Sequence, residues 1–107
     1  MIASDLEGEI EVNIVNEFNL LTNYPNPFNP VTTITYTNEI AGNVTLNIYD
    51  LNGRLVNTLV SNSMEIGQYN IDWNGTDNNG FDVTSGVYLL TLENESGITT
   101  SKITLLR

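Results

Sequence analysis

Asp72, Asn74, Asp77, Asn79 and Asp82 place five oxygen-bearing side chains in one short run around Gly75 and Gly80. A calcium ion takes such ligands. The spacing departs from the twelve-residue calcium loop, because no Glu closes the run in the bidentate position and Gly80 is misplaced. Asn, Asp and Gly are also the ordinary residues of tight turns. The run therefore reads as a turn, with no metal expected. Glycoside hydrolysis needs a pair of facing carboxyl groups. The acidic side chains here fall on solvent faces of strands and in turns, where they are expected to be solvated. The chain has no histidine and no cysteine. That removes the commonest general base, thiolate metal sites and disulfides. Ser85-Gly86 is no nucleophile elbow, and no histidine is present to activate the serine. Neither an enzyme nor a cofactor is expected.

Charge narrows the partners further. Three basic residues against thirteen acidic ones give a formal charge of −10. A nucleic acid finds no basic patch to release its counterions, and an anionic membrane surface is disfavoured for the same reason. At 107 residues, 40% hydrophobic and 15% charged, the chain is expected to form one domain around a single packed core. No apolar run approaches the length of a membrane span. The first residues, Met1 to Asp5, lack the regions of a secretory signal, so an exported protein would be a piece of a longer precursor. The Asn-x-Ser/Thr sequons at Asn43, Asn74 and Asn94 are what this composition yields by chance, and carry no weight.

Positioning of any site falls to strands. Period-two alternation recurs from end to end, without a helical period. Ile10, Val12 and Ile14 alternate with Glu9, Glu11 and Asn13. Next, all three prolines fall within Tyr24-Pro25-Asn26-Pro27-Phe28-Asn29-Pro30. Proline fixes φ and removes a donor, so this is a stiff, extended entry segment that cannot lie in a central strand. Ile34 and Tyr36 continue the alternation, followed by Val44, Leu46 and Ile48. Asp50-Leu51-Asn52-Gly53 reads as a hairpin turn returning through residues 54–60. Tyr69, Ile71 and Trp73 precede the loop at 74–80. Val87 to Leu92 is apolar on both faces, as a central strand would be. Asn94-Glu95-Ser96-Gly97 turns the chain into a last strand, with Ile103 and Leu105 inward. Seven or eight short strands at this spacing predict an all-β, antiparallel immunoglobulin-like sandwich, without the Cys…Trp…Cys signature.

These motifs carry a family resemblance. The proline segment followed by Thr32-Thr33-Ile34 resembles the opening of type A C-terminal sorting domains of the bacterial type IX secretion system. Ile48-Tyr49-Asp50-Leu51-Asn52-Gly53-Arg54-Leu55-Val56 is similar to that family's central hairpin. Gly67-x-Tyr69-x-Ile71-x-Trp73-Asn74-Gly75-x-Asp77-x-x-Gly80, and Ser85-Gly86-Val87-Tyr88, resemble both the sorting domains and the immunoglobulin-like domain of the flagellar hook-capping protein. Lys102 to Arg107 looks like the family's terminal strand. The resemblance covers residues 24–107, leaving 1–23 as a linker or passenger tail with one possible strand at 10–14.

The resemblance implies an address rather than a reaction. Such a domain directs a covalently attached, Sec-exported passenger across the outer membrane of a Gram-negative bacterium. Proteins of the secretion machinery recognise it, and the domain is removed or exchanged for a surface anchor. Localisation would be secreted or outer-membrane surface after passage through the periplasm, and the isolated domain is expected to be monomeric, with no small-molecule substrate.

Candidate recognition residues are Lys102 and Arg107, two of three cations, and Pro25, Asn26 and Pro27. The terminal strand is a candidate for edge-on pairing with a receptor strand. Tyr49, Gly53, Arg54, Trp73, Gly75, Asp77, Gly80, Gly86 and Tyr88 are read as mainly structural, with Arg54 pairing locally to Asp50 and Trp73 and Tyr88 in the core. Two other classes stay open: a structural β-module for subunit assembly, and an accessory carbohydrate-binding module, which would need a row of exposed aromatics.

Overall fold

The alternation becomes seven strands in a computed structural model that describes residues 20–107. They are β1 (Leu21–Tyr24), β2 (Thr32–Asn38), β3 (Gly42–Tyr49), β4 (Leu55–Met64), β5 (Gly67–Trp73), β6 (Gly86–Asn94) and β7 (Gly97–Leu105). A three-stranded sheet in the order β1-β2-β5 faces a four-stranded sheet in the order β4-β3-β6-β7. Every strand pairing is antiparallel. The predicted all-β immunoglobulin-like sandwich is what the chain forms. The alternation at Ile10 to Ile14 lies outside the described residues.

Burial follows the period. Ile34, Tyr36, Val44, Leu46, Ile48, Leu90, Leu92, Ile103 and Leu105 point between the sheets and are almost fully enclosed. Each such aliphatic side chain contributes about 1.5–3 kcal/mol relative to exposure. Burial pushes the Tyr36 phenol above its ordinary pKa, and neighbouring Tyr69, stacked at 5.6 Å, adds to the shift. β6 lies between β3 and β7, the central position its apolar faces predict.

Two elements differ from expectation. β4 runs on to Met64, past the Val60 limit, through polar residues exposed on a sheet edge where only one neighbour must be satisfied. β1 begins at Leu21, so the strand crosses the boundary expected at Tyr24. Leu21 is buried, and Thr37 donates a main-chain hydrogen bond to Leu20 O at 3.2 Å. These contacts make residues 20–23 part of the packed body.

The loops gather at two poles. At one, β2–β3, β4–β5 and β6–β7 connections meet around buried Asn38. Its Nδ2 donates to Met64 O (3.3 Å) and Glu65 O (3.1 Å), while its Oδ1 accepts from Asn94 Nδ2 (3.2 Å). Leu20 sits here too, opposite Thr37, so preceding chain joins the domain at this pole. The proline segment, the β3–β4 turn, the long 74–85 connection and Arg107 lie at the other.

Candidate functional site

Two turns at the Arg107 pole share one design. Asp50-Leu51-Asn52-Gly53-Arg54 and Asp77-Asn78-Asn79-Gly80-Phe81 both read Asp-x-Asn-Gly-x. In the first, Asp50 N donates to Arg54 O (2.9 Å), Gly53 N donates to Asp50 O (3.0 Å), and Asp50 Oδ1 accepts from Asn52 N and Arg54 N (both 2.9 Å). In the second, Asp77 N donates to Phe81 O (2.9 Å) and Gly80 N to Asp77 O (3.0 Å), and Asp77 Oδ1 accepts from Asn79 N (2.9 Å) and Phe81 N (3.0 Å). Gly53 and Gly80 take φ of 86° and 88°, left-handed values that side chains resist. The two carboxylates therefore hold their own turns.

Asp50 shows this in its acidity. The Arg54 main-chain N–H holds its carboxyl below the ordinary carboxylate value, helped by Asn52 N–H and by the Arg54 guanidinium, whose Nε lies 3.2 Å from Oδ2. A lowered folded pKa adds stability above the unfolded value of about 4, and that increment is lost as pH falls through the folded value. Asp50→Asn is thus expected to lower the urea midpoint near neutral pH and to match the parent under strongly acidic conditions. Parallel curves at both pH values would remove Asp50 as a contributor.

The oxygen-rich run at 72–82 is dispersed. Asp72 Oδ1 accepts from Thr33 Oγ1 (2.7 Å) on the outer face of its sheet, and Asn74 Oδ1 accepts from Thr76 Oγ1 (2.7 Å). Asp82 Oδ1 lies 3.6 Å from Arg107 Nη2. Among the described residues no group of three acidic side chains is arranged to hold a metal ion.

Trp73 and Tyr88 lie in the core beneath the loops. Trp73 meets Tyr88 edge-on at 5.5 Å and Phe28 at 5.4 Å. Its Nε1 donates to Thr76 O (2.8 Å), and the Tyr88 hydroxyl donates to Thr84 O (2.6 Å). The latter is the tyrosine corner of immunoglobulin-like sandwiches, a tyrosine near the start of a strand bonding backbone just upstream. Being buried, neither ring can join an exposed aromatic row for sugar binding. Gly86 opens β6 opposite Leu105, and Tyr49 is half-buried on the outer sheet face, where its hydroxyl accepts from Asn47 Nδ2 (3.2 Å).

The proline segment does more than lead into β2. It runs along the open edge of β7 as a strap, with Phe28 buried beneath. Phe28 N donates to Thr104 O and Leu106 N donates to Phe28 O, both at 3.0 Å. Asn26 imitates a strand with its side chain: Nδ2 donates to Lys102 O (3.3 Å), and Oδ1 accepts from Thr104 N (3.1 Å). Pro25 O accepts from buried Thr32 Oγ1 (2.8 Å), while the rings of Pro25 and Pro27 stay exposed. The expected edge-on pairing of the terminal strand is therefore blocked over residues 102–106 while the strap is seated. Asn78 plugs the opposite sheet edge, its N donating to Val56 O and its Oδ1 accepting from Thr58 N, both at 3.0 Å.

Arg107 is a clasp. Its Nε donates to Val83 O (2.7 Å), its Nη2 to Gly75 O (2.6 Å) and its main-chain N to Ser85 Oγ (2.9 Å). A receptor contact through this guanidinium would compete with those bonds. Lys102 is exposed, with only its carbonyl held by the strap. Arg107→Ala is expected to cost about 1–2 kcal/mol. It should also speed hydrogen exchange at the Val83 amide, which bonds Gly75 O at 2.9 Å. Unchanged exchange there would show the clasp to be idle.

Arg54, Asp77, Gly75, Trp73 and Tyr88, read from the sequence as mainly structural, all lie at this pole, whereas the edge contacts of Asn78 and Phe28 and the shared capping of the two turns were not anticipated. The repeat of the Asp-x-Asn-Gly pattern was the available signal.

Two facing antiparallel sheets, a tyrosine corner and plugged edges define an immunoglobulin-like β-sandwich domain. The chain belongs to the FlgD Ig-like domain family, whose model matches residues 28–97. Among solved structures, it is similar to dimeric latent PorU from Porphyromonas gingivalis, at 26% identity and a TM-score of 0.58 over 80% of this chain and 9% of that one. PorZ, a surface component of the type IX secretion system of the same organism, aligns at 24% identity and a TM-score of 0.55 over 98% of this chain and 12% of that one, a likeness of fold. FlgD from Xanthomonas campestris, a hook-capping protein of flagellar assembly, aligns at 26% identity and a TM-score of 0.52, over 78% of this chain and 60% of that one. The chain thus spans under two thirds of each of these proteins. No curated protein sequence matches it.

Proposed function

We propose that this sandwich is a C-terminal sorting domain, which carries an attached passenger across the outer membrane of a Gram-negative bacterium through recognition by type IX secretion proteins. The observation that carries the reading is the ordered motif set from Tyr24 to Arg107, now seen as strap, paired turns and clasp at one pole. Likeness to PorU, and to PorZ in fold, supports it. The domain acts as a folded label, without catalysis, without a cofactor and as a monomer. The passenger ends at the secreted or surface-anchored side.

The test is a reporter carrying the whole 107-residue chain at its C-terminus, expressed with a Sec signal in a type IX-competent host. Appearance of the reporter in the medium or on the surface is expected. Periplasmic retention of a folded fusion would reject the reading.

Family membership with FlgD favours one rival, a module for subunit assembly. Sedimentation of the purified chain separates them, since concentration-dependent association belongs to assembly and a stable monomer to sorting.

A further inference from the structure

A cleft of about 370 Å³ opens between the two Asp-x-Asn-Gly turns. Its lining is mixed, with Leu55, Val56 and Val83 beside the polar side chains of Asp50, Arg54 and Asp77. We propose that this cleft is the docking point for a type IX machinery protein, taking an apolar side chain of that partner with a carboxylate beside it. The proposal rests on the sorting reading above and names the partner chemistry of that function.

Three features favour this occupant. First, large apolar side chains on and beside the two turns stand in solvent: Leu51 is 66% exposed, Phe81 69% and Leu55, which lines the cleft, 49%. Exposed apolar side chains flanking an arginine are of the types that interface centres use, where one well-seated side chain carries much of the affinity. A cleft of this volume accepts a large side chain of a partner with room to spare.

Second, the polar groups are already sorted. Asp50 and Asp77 each direct one oxygen at two amides of their own turn, so they hold the walls in place before any partner arrives. Preorganised walls reduce the ordering cost of association. Arg54 is 80% exposed in its side chain and engages Asp50 through Nε alone among the described residues. Its terminal nitrogens are left to grip a carboxylate in a bidentate manner. Arg54 is the one cation lining the cleft among the described residues and stands between the carboxylates of Asp50 and Asp77, so it fixes the one place where a partner carboxylate is attracted.

Third, the cleft lies at the pole opposite Leu20, where the described chain begins next to Thr37. The loops at that opposite pole carry Glu39, Glu65 and Glu95 and no Lys or Arg.

The test uses the same full-chain reporter fusion. Arg54→Glu reverses the charge at the rim, and Val83→Phe fills the cleft without emptying any packed space. Each is expected to lower the exported fraction at least about tenfold, the loss of one anchoring contact. Arg54→Lys should fall between, and Ile66→Glu at the opposite pole should export like the parent. Thermal melts of the purified variants within a few degrees of the parent keep the loss attributable to docking. Export at parental levels by both cleft variants overturns the docking site and leaves the sorting reading intact. Loss that tracks a lowered melting temperature also overturns it, since the cleft is then only structural. If the parent chain dimerises and Arg54→Glu abolishes the dimer, the occupant is a second copy and the proposal fails. A parent fusion that stays in the periplasm sinks the sorting reading itself.

Discussion

Phe28→Ala is expected to destabilise the domain by about 3–5 kcal/mol in urea unfolding, the range for emptying a buried aromatic site. Phe28 is 1% exposed and packs on Trp73, and its main chain also closes the β7 edge through Thr104 and Leu106. Removing the ring therefore acts twice. The core loses a wall, and the strap loses the anchor that keeps it on the sheet. A bared edge exposes unpaired amides and carbonyls to neighbouring molecules. The variant should accordingly associate at lower concentrations than the parent. Pro27→Ala, an exposed position on the same strap, provides the comparison and is expected to cost far less. A Phe28→Ala loss below about 1 kcal/mol would mean that the strap is held by its polar contacts alone.

Asn38→Ala ranks next, at about 3 kcal/mol. The side chain is buried and joins three connections at the Leu20 pole. Its loss removes the donor from the half-buried Met64 carbonyl and the acceptor from the half-buried Asn94 amide, while the Glu65 carbonyl keeps the Tyr69 hydroxyl at 2.8 Å. Leaving buried partners unpaired costs more than the net value of the bonds themselves. Asn38→Leu restores volume without the bonds, so it should remain nearly as unstable as Asn38→Ala. If Asn38→Leu recovers the parent's unfolding midpoint, packing and not hydrogen bonding is the reason for asparagine there.

The sandwich was legible because its signals are local. Alternation in Val44, Leu46 and Ile48 sets one buried face, and Asn52-Gly53 demands a tight turn wherever it falls. Val87 to Leu92, apolar on both faces, could only be central. The strap was legible as stiff but not as an edge cover. That role depends on Asn26 meeting Lys102 and Thr104, a pairing across most of the chain that no short-range pattern records. Asn78 escaped notice for the same reason, since its partners Val56 and Thr58 lie in another element. Arg107 illustrates a different difficulty. A scarce cation at the end of an acidic chain suggests a handle for a receptor, yet intramolecular carbonyls claim it. Composition cannot distinguish the two, because both uses exploit the same five donors. The second turn is written in the sequence as a repeat of the first, but turn composition over 72–82 does not by itself say that Asp77 caps its turn as Asp50 does.

The parallel bridge between Phe28 and Leu105 has a mechanical side. Strap and final strand run in the same direction, with the strap's leading end towards one pole and Arg107 at the other. Tension between those ends drags the two segments past each other lengthwise, so their bonds bear load together and cannot open one by one like a zipper. Stretching the chain in an optical trap should then give a single abrupt rupture, and cutting out Phe28 should turn it into a gradual peel.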